Sequence, residues 1–534
     1  MPFYRFLLPG PYKSSGLIFM FQCGMILEIL RQSLNYDEGC EPMILNIDNT
    51  HFFVSRKAED VTEKEINRFI DQYAGTQVSQ LVFSINAMRA SYDSRVFEPI
   101  WQGYDPEGGP DQPFLSALPS EESRQRFDNM MQNYCQLCGN GKNVFQHWIA
   151  RTREVGISPW ISTRMNDIHE VNDERHPFHS EFWRTHPEAR RSMYHDVGWS
   201  DRALDFGRQD VRDRHFAFIE EIMELYDVDG LELDWMRFGY HFRPGFEEEG
   251  AVLLTEFTSD VRRLLDTWET RRGHKIELSA RVPSRPATSL ALGLDAVEWA
   301  RRGLISRLVI TPFWATSEAD MPVEIWKQLL RGTDVKLEAG LELLLRAYPA
   351  SKKVQTNSLG TVRGAAMALL SRGADDLYLY NYFDCVTCMD DLENYPTLLR
   401  EVGELDTLRG KPRRHVVTYS DTWAVGEPAG YLLPATVTPH SVKAFAVPIG
   451  EAPAAAQQAY VVLGVAQEQD TGEETVWVNG TVCQEVKDIL LSRPLPASPV
   501  RTWMIPAQAL HKGRNVVEIQ GFAGTLDWVE IKIV

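Results

Sequence analysis

The sequence has few cysteines, no excess of positive charge and no apolar run long enough to span a membrane. Seven cysteines among 534 residues, an odd number spread thinly, exclude a disulfide scaffold. The formal net charge of −19 at pH 7 would repel a polyphosphate backbone, which argues against nucleic acid as a partner. The N-terminal apolar run GLIFMFQCGMILEIL is interrupted by Gln22 and Glu28, so we expect neither a membrane span nor a signal peptide there.

Length and composition predict a globular protein with more than one domain. A barrel of roughly 250 to 400 residues plus a smaller module fits 534 residues, and the 44% of hydrophobic residues allow a large core. We expect an N-terminal extension over residues 1–40, whose order the sequence does not determine, a barrel over 41–410 and a β-rich domain over 411–534. Localisation stays open between cytoplasm and secretion, since Asn479-Gly-Thr is a glycosylation sequon. Nothing in the sequence indicates the oligomeric state.

Strand-like and helix-like segments alternate along the first 410 residues. Short apolar runs predict strands at 43–54, 81–88, 158–166, 228–242, 276–283, 307–314, 335–342 and 376–383. Helix-like segments lie between most of them, and the first is expected to open at Thr62 with Glu63 and Glu65 in its first turn. Eight strands that alternate with helices predict an α/β fold, the (β/α)8 TIM barrel.

The segment VDGLELDWMRFGYHF combines a buried strand with acidic side chains. Period-two alternation places Leu231, Leu233 and Trp235 on one side of the strand and Glu232 and Asp234 on the other. In a barrel the apolar side contacts the outer helices, while the other side enters the barrel and reaches the active site at the C-terminal end of the strand. We therefore expect Asp234 at the C-terminal end of a central strand, inside the largest concavity of the domain.

The same alternation places further polar residues near the C-terminal ends of the other strands. Those expected to bind substrate are Asp48, Asn86, Arg164, Asn166, Asp167, Arg237, Arg281, Trp314 and Asn381. Trp314 is the expected platform for a sugar ring, and Asn166 can donate to a sugar hydroxyl without adding charge. An arginine beside Asp234 would favour the ionised carboxylate, a role open to Arg164 and to Arg281.

Three carboxyl groups fit the requirements of glycoside hydrolysis, which needs one group to protonate the leaving oxygen and one to attack the sugar or activate water. Asp234 is the expected nucleophile or base, and Glu342, last on the seventh strand, is the expected acid. Glu232 lies one layer beneath Asp234, and repulsion could keep it protonated, so it is an alternative acid. Each of these side chains could instead belong to a buried ion pair with arginine.

Cysteines and histidines offer candidate metal ligands. The pairs Cys135/Cys138 and Cys385/Cys388 could together form a four-thiolate zinc site, but their distance in the sequence favours two unrelated pairs of half-buried thiols. A histidine-rich stretch between strands three and four holds His169, His176, His179, His186 and His195. Because this spacing matches no standard ligand pattern, we interpret these as loop histidines with some substrate contacts and expect neither a metal nor a cofactor.

From about residue 411 the helical periodicity disappears and short β-rich runs appear, among them AYVVLGV, TVWVNGT and VRTWMIP. This pattern predicts a smaller all-β sandwich with Val478-Asn479-Gly480 in a tight hairpin. The run ALHKGRNVVEIQ resembles the end of a jelly-roll module and is similar to the galactose-binding-like accessory domains of many glycoside hydrolases. Such a domain either binds sugar or only braces the barrel.

Five strings together resemble the glycosyl-hydrolase-like family 10 group: ILNIDNTHFFV, WISTRMNDIH, DGLELDWMRF, GLDAVEWARRGLISRLVITP and GADDLYLYNYF. The resemblance covers roughly residues 43–400 and implies a TIM barrel with glycosidase activity. There is also a partial likeness to the family-18 chitinases, whose DGxDxDWE strand ends in the catalytic glutamate. Met236 stands at that position here, which argues against chitinase chemistry.

The sequence therefore predicts a hydrolase that cleaves O-glycosidic bonds of an oligo- or polysaccharide, with no nucleic-acid or membrane partner. Two alternatives are a non-catalytic carbohydrate-binding barrel protein and a metal-dependent barrel lyase or isomerase. A second carboxyl group facing Asp234 across one pocket would favour the hydrolase. A metal held by Asp167 and His169 would favour the lyase or isomerase.

Overall fold

The computed structural model describes residues 43–192, 198–385, 388–469, 474–487 and 499–534. Pro42–Val534 forms one compact unit, in which a closed barrel is followed by antiparallel sheets. The predicted extension over residues 1–40 lies outside the described residues. Among the helices that are described, none is long and apolar enough to cross a membrane.

Eight parallel strands close into a barrel and confirm the predicted TIM fold. They are β1 (Met43–Ile47), β2 (Val78–Ser84), β3 (Ser158–Arg164), β4 (Gly230–Asp234), β5 (Glu277–Pro283), β6 (Arg307–Thr311), β7 (Lys336–Glu342) and β8 (Asp376–Tyr380). Each strand pairs with the barrel strands before and after it in the chain, and β8 closes on β1. Because all strands run in the same direction, their C-terminal ends meet at one end of the barrel, here called the mouth.

Helices connect the strands on the outside. The described α-helices are His51–Ser55, Glu63–Asp71, Glu121–Cys138, Val144–Glu154, Glu181–Thr185, Gln209–Leu225, Glu247–Arg272, Pro286–Ala291, Ala296–Arg301, Val323–Leu329, Leu359–Leu370, Tyr395–Glu401 and Leu405–Leu408. Short 3-10 helices are Ala58–Asp60, Pro113–Leu115, Pro187–Ala189, Trp199–Arg202, Leu392–Asn394 and Ala507–Ala509. The helix predicted to open at Thr62 does so, and the Thr62 hydroxyl accepts from the backbone N–H of Glu65.

The first strand is shorter than the sequence pattern predicts. A strand was expected over 43–54, but pairing stops at Ile47 and a helix begins at His51. The side chain of Asp48 causes the break, since its Oδ1 accepts from both the backbone N–H and the hydroxyl of Thr50 and so closes a turn. The carboxylate of Asp48 is thereby placed at the mouth.

Side-chain alternation on β4 agrees with the prediction. Its outward side chains, all buried under the helices, are Leu231, Leu233 and Trp235. Glu232 lies inside the barrel, where it accepts from the hydroxyls of Ser162 at 2.7 Å and Tyr378 at 2.9 Å. Gly230 begins the strand beside the ring of Trp160, and a Cβ there would lie 2.4 Å from that ring. Side chains thus fill the barrel below the mouth, as in other packed barrels.

The C-terminal region forms two antiparallel sheets, as predicted for a sandwich. One contains the strands Arg413–Val416, Ala435–Val437, Ala459–Gln469, Gln484–Glu485, Val500–Ile505 and Ala523–Ile533; the other contains Val442–Pro448, Thr475–Val478, Thr481–Val482 and Arg514–Gln520. The predicted hairpin is present, with positive φ angles of 49° at Asn479 and 76° at Gly480. Nδ2 of Asn479 donates to the backbone oxygen of Ala509 and to Asn515, so a glycan, which replaces one hydrogen of this nitrogen, would cost the domain at least one of these hydrogen bonds.

Candidate functional site

Asp234 lies at the C-terminal end of β4, where its side chain is fully buried. Oδ1 accepts from Nε of Arg281 at 2.8 Å and from the backbone N–H groups of Met236 at 3.0 Å and Arg237 at 2.9 Å. Three donors on one oxygen, one of them cationic, suit the ionised carboxylate. Oδ2 has no hydrogen-bond partner among the described residues. One oxygen of this carboxylate is therefore fixed by the protein and the other is free for chemistry.

Of the two arginines considered for the role beside Asp234, Arg281 is the one that pairs with it. Arg281 points inward from β5, and its guanidinium carbon lies 4.0 Å from the centroid of the Tyr380 ring. Arg164 ends β3, directly beside Asp234 in register, but its guanidinium binds Asp48 and Asp167 instead. Arg281 therefore takes the role that the sequence left open between the two arginines, since two loop carboxylates bind Arg164.

Asp48, Arg164 and Asp167 form a buried ion cluster on the β1 to β3 side of the mouth. Burial raises the pKa of Asp48, but the charge of Arg164 and the two donors of Thr50 outweigh it and hold the pKa well below its usual range. Burial also raises the pKa of Asp167, and His169 and Arg164 likewise bring it well below normal. Both carboxylates are thus ionised at neutral pH, and the arginine bridges them.

His169 links this cluster to Arg237. Its Nδ1 lies 2.7 Å from Oδ1 of Asp167, and its Nε2 lies 2.6 Å from Nη2 of Arg237. Because a guanidinium group only donates, Nε2 is the acceptor and Nδ1 carries the proton. With Arg237 on one ring nitrogen and Asp167 on the other, His169 is not arranged as a metal ligand. The loop after β4 is instead tied to the loop after β3.

Two of the three asparagines predicted to bind substrate, Asn86 and Asn166, contact backbone groups. Asn86 donates to the carbonyl of Arg164 at 2.9 Å and accepts from its N–H at 3.0 Å, which pins the end of β3. Asn166 donates to the carbonyls of Leu204 and Tyr240 and accepts from the N–H of Leu204. Both amides are therefore engaged in holding loops at the mouth, and a sugar hydroxyl would have to displace a protein contact.

Glu342 ends β7 and is buried at the mouth. Burial raises its pKa to about 8, even though Asn381, Arg237 and Arg281 all lower it. Nδ2 of Asn381 donates to Oε1 at 2.9 Å and to Oε2 at 3.2 Å. Asn381 holds this position with a positive φ of 65°, a conformation that asparagine tolerates better than most residues. Glu342 is therefore mainly protonated at neutral pH.

Glu232 lies in the layer below these groups. Burial and the repulsion of Asp234 raise its pKa to about 7, while Arg281 and the hydroxyls of Ser162 and Tyr378 lower it. Both hydroxyl groups contact the same oxygen, Oε1. Glu232 thus belongs to the hydrogen-bond network of the barrel interior, beneath the groups that face the mouth.

Aromatic side chains line the rim of the mouth. Trp314, which follows β6, is 46% exposed, the expected state of a sugar platform. The neighbouring ring of Phe313 contacts Phe238 at 5.2 Å between centroids, and Phe238 contacts the ring of His169 at 5.0 Å. The rim is thus continuous from the loop after β6 to the loop after β3.

The side chain of Asp234 is fully buried at the mouth, and its place in the largest concavity of the domain stays a prediction. Two cavities of about 620 Å³ lie elsewhere, one at the N-terminal barrel end beside Arg307 and Lys336 and one beside the helix Glu121–Cys138. Asp234 lines neither. Near it, the guanidinium carbon of Arg237, whose backbone N–H donates to Asp234, lies 5.5 Å from the ring centroid of Phe238 and 5.7 Å from that of Tyr380.

The cysteine pairs do not come together. Among the described residues, the donor atoms that converge within 4.8 Å belong to His51, Asp384 and Cys385. In this group Arg56 pairs with Asp384 at 2.7 Å, so a cation already occupies the carboxylate. The four-thiolate zinc alternative is therefore wrong for the described residues, while position 195 of the histidine-rich stretch lies outside them.

Two residues of the site were missed by the sequence analysis. Tyr380 points into the barrel from β8, where its ring lies against Arg281. Two residues after Tyr378, it lies on the same side of the strand, so alternation could have predicted this. Asp421 comes from the sandwich domain, and its carboxylate accepts from the backbone N–H groups of the loop that carries Trp314. No local pattern marks Asp421, because its contact joins segments more than 100 residues apart.

No family model and no curated protein matches the sequence. Among solved structures, a cycloisomaltooligosaccharide glucanotransferase from Paenibacillus sp. is 11% identical with a TM-score of 0.32, over 92% of this chain and 58% of its own. The α-L-fucosidase isoenzyme 2 from Paenibacillus thiaminolyticus is 12% identical with a TM-score of 0.40, over 67% and 48%. A chitinase from Bacillus thuringiensis is 9% identical with a TM-score of 0.36, over 92% and 100%. The chain spans about half the length of the first two.

Proposed function

We propose that the chain is a glycoside hydrolase in which Glu342 is the general acid and Asp234 the nucleophile or base. One observation carries the proposal: the two carboxyl groups lie at the same end of the barrel in opposite electrostatic settings. Asp234 is paired with Arg281, whereas burial raises the pKa of Glu342 to about 8. A proton donor and an ionised carboxylate at one site are what glycosidic cleavage requires.

The chemistry follows from these two states. Glu342 transfers its proton to the glycosidic oxygen as the bond from that oxygen to the anomeric carbon breaks. The free Oδ2 of Asp234 either attacks the anomeric carbon or removes a proton from the water that does so. Asn381, Arg237 and Arg281 all lower the pKa of Glu342, so they stabilise the carboxylate that forms as its proton leaves.

Substrate binding is assigned to the rim. Trp314 offers an exposed ring for stacking, and the rings of Phe313 and Phe238 continue the rim from it. Because Asp234 is fully buried, a sugar reaches it only after side chains at the mouth move aside. The resemblance of the β4 sequence to the glycosyl-hydrolase-like family 10 group supports the assignment.

A screen of aryl glycosides and polysaccharides tests the proposal, with wild type, Asp234→Asn and Glu342→Gln compared on each substrate. We expect hydrolysis by the wild type and a loss of roughly 10²- to 10⁴-fold in each variant. Aryl glycosides with a good leaving group should restore part of the rate of Glu342→Gln but not of Asp234→Asn, because only Glu342 assists the leaving group. Full activity in either variant would contradict the assignment.

Full burial of both carboxyl groups favours a second candidate, a carbohydrate-binding barrel without catalysis. In that case oligosaccharides would bind at the rim, and Trp314→Ala would weaken binding while no glycoside is cleaved. Calorimetric titration with the same oligosaccharides, run beside the hydrolysis screen, separates the two functions.

A further inference from the structure

A segment of the sandwich domain, residues 419–427, returns to the mouth of the barrel. It follows the strand Arg413–Val416 and precedes Ala435–Val437, so both of its ends belong to the sandwich. Several of its side chains, however, contact the barrel segments that follow β5 and β6. We call this segment the strap.

Asp421 is the centre of the strap. Its carboxylate accepts from three successive backbone N–H groups of the loop after β6: Phe313 at 2.7 Å, Trp314 at 2.9 Å and Ala315 at 2.8 Å. These N–H groups lie beyond the end of β6 and need an acceptor. A carboxylate that accepts from several backbone N–H groups binds them more strongly than a neutral acceptor does.

Two further contacts join the strap to the segment after β5, which contains Ser284 and the helix Pro286–Ala291. The hydroxyl of Thr288 in this helix donates to Glu427 at 2.9 Å. Within the strap, the backbone N–H of Ala424 donates to the same carboxylate. The hydroxyl groups of Ser420 and Ser284 lie 3.4 Å apart. The strap therefore joins two neighbouring loops of the mouth to the sandwich domain.

We infer that Asp421 is a positioning residue, which fixes the loop after β6 so that Trp314 presents its ring to a sugar at the mouth. Three observations agree with this role: the carboxylate accepts from the backbone N–H groups of Trp314 and of the residue on each side of it, Trp314 is 46% exposed, and the adjacent Phe313 ring contacts that of Phe238. The inference rests on the proposed function. It makes the sandwich domain part of the substrate site.

The test combines hydrogen exchange with kinetics on the full chain. Asp421→Asn keeps the shape of the side chain but removes its charge, and Asp421→Ala removes all three bonds. The control is Arg514→Gln, which breaks a different contact between the domains, the ion pair with Asp320. Without substrate, we expect the amides of 313–315 to exchange at least roughly tenfold faster in both Asp421 variants than in the control.

On a cleaved oligosaccharide we expect KM to rise roughly tenfold in the Asp421 variants and kcat to change little, because stacking is lost while Asp234 and Glu342 keep their places. Asp421→Ala should add little to Trp314→Ala, since both act through the same ring. An unchanged hydrogen-exchange rate of the amides of 313–315 would contradict the idea that Asp421 holds this loop, whether or not any sugar is cleaved. Faster exchange with unchanged KM would contradict its role in binding. A wild type that cleaves no glycoside would refute the proposed function, and the exchange result would still decide whether Asp421 holds the loop.

Discussion

Nε of Arg281 donates to Oδ1 of Asp234 over 2.8 Å, and neither side chain is exposed to solvent. Removing one partner of such a pair leaves a buried charge without compensation. The ion pair therefore bears on stability as well as on the proposed chemistry, and the two effects can be separated.

We expect Arg281→Met to lower the free energy of unfolding by roughly 3 to 5 kcal/mol, because Asp234 is left buried and unpaired. In the double variant with Asp234→Leu the loss should be clearly smaller than the sum of the two single losses. Urea denaturation of the four proteins measures the coupling. Arg302→Ala is the matched control, since Arg302 pairs with Glu298 on the surface of a helix and should cost less than about 0.5 kcal/mol. Additive losses would contradict a direct coupling of the pair.

The raised pKa of Glu342 predicts the alkaline limb of activity. If Glu342 is the acid, kcat/KM should fall above a pH of about 8, where the group loses its proton. Glu342→Gln should lose this limb together with roughly 10²- to 10⁴-fold of the rate. Rates measured between pH 5 and 10 on an aryl glycoside provide the check. An alkaline limb that persists in Glu342→Gln would mean that another group sets it.

The same group predicts a pH dependence of stability with a definite sign. Burial raises the pKa of Glu342 from 4.5 to about 8, so the folded chain binds more protons than the unfolded chain between these values. The contribution of Glu342 to the free energy of unfolding must therefore decline as the pH rises through this window. Glu342→Gln removes that decline, so the variant should gain stability relative to wild type from pH 5 to pH 9. Thermal unfolding at both pH values is sufficient, and a constant difference would contradict the prediction.

Sequence alternation predicted the barrel and the facing of β4, because both depend on local pattern. Leu233 and Asp234 lie on opposite sides of the strand, as expected for a strand with one face inside the barrel. Alternation gives the face of a side chain but not its partner. Arg164 and Arg281 flank Asp234 on the two neighbouring strands, and only the loop carboxylates, which bind Arg164, decide which arginine is left for it.

The surroundings of Arg237 could not be predicted for the same reason. They depend on how the loop after β4 meets the end of β8, where the guanidinium of Arg237 lies 5.7 Å from the ring centroid of Tyr380. The strand expected over 43–54 is cut short by a local contact, because the turn made by Asp48 ends it before the apolar residues Phe52 and Phe53. Side chains that bond their own backbone are the usual cause of such breaks.

The ion pairs of Arg164 predict how its contribution to stability changes at acid pH. It helps to hold the pKa values of Asp48 and Asp167 below their usual range, so these groups stabilise the fold above the unfolded pKa of about 3.8 and lose that effect as the pH falls through their folded pKa values. Arg164→Met should therefore be strongly destabilised at pH 7, by roughly 3 to 5 kcal/mol, and less so below pH 3. Urea unfolding at the two pH values tests this. An equal loss at both would mean that Arg164 acts through packing rather than charge.

The last prediction concerns Asn381, the neighbour that donates to both oxygens of Glu342. Its two bonds lower the pKa of Glu342, so their removal should move the alkaline limb of activity to higher pH. Asn381→Gly is the suitable change, because glycine accepts the positive φ of 65° that would strain alanine. Asn381→Asp keeps a residue that tolerates this conformation but replaces a donor by a carboxylate, and repulsion should move the limb further in the same direction. The rate at pH 7 should fall in both variants, because the carboxylate that Glu342 becomes after proton transfer has lost a donor. A limb that stays in place, or moves to lower pH, would show that Asn381 does not act through the protonation of Glu342.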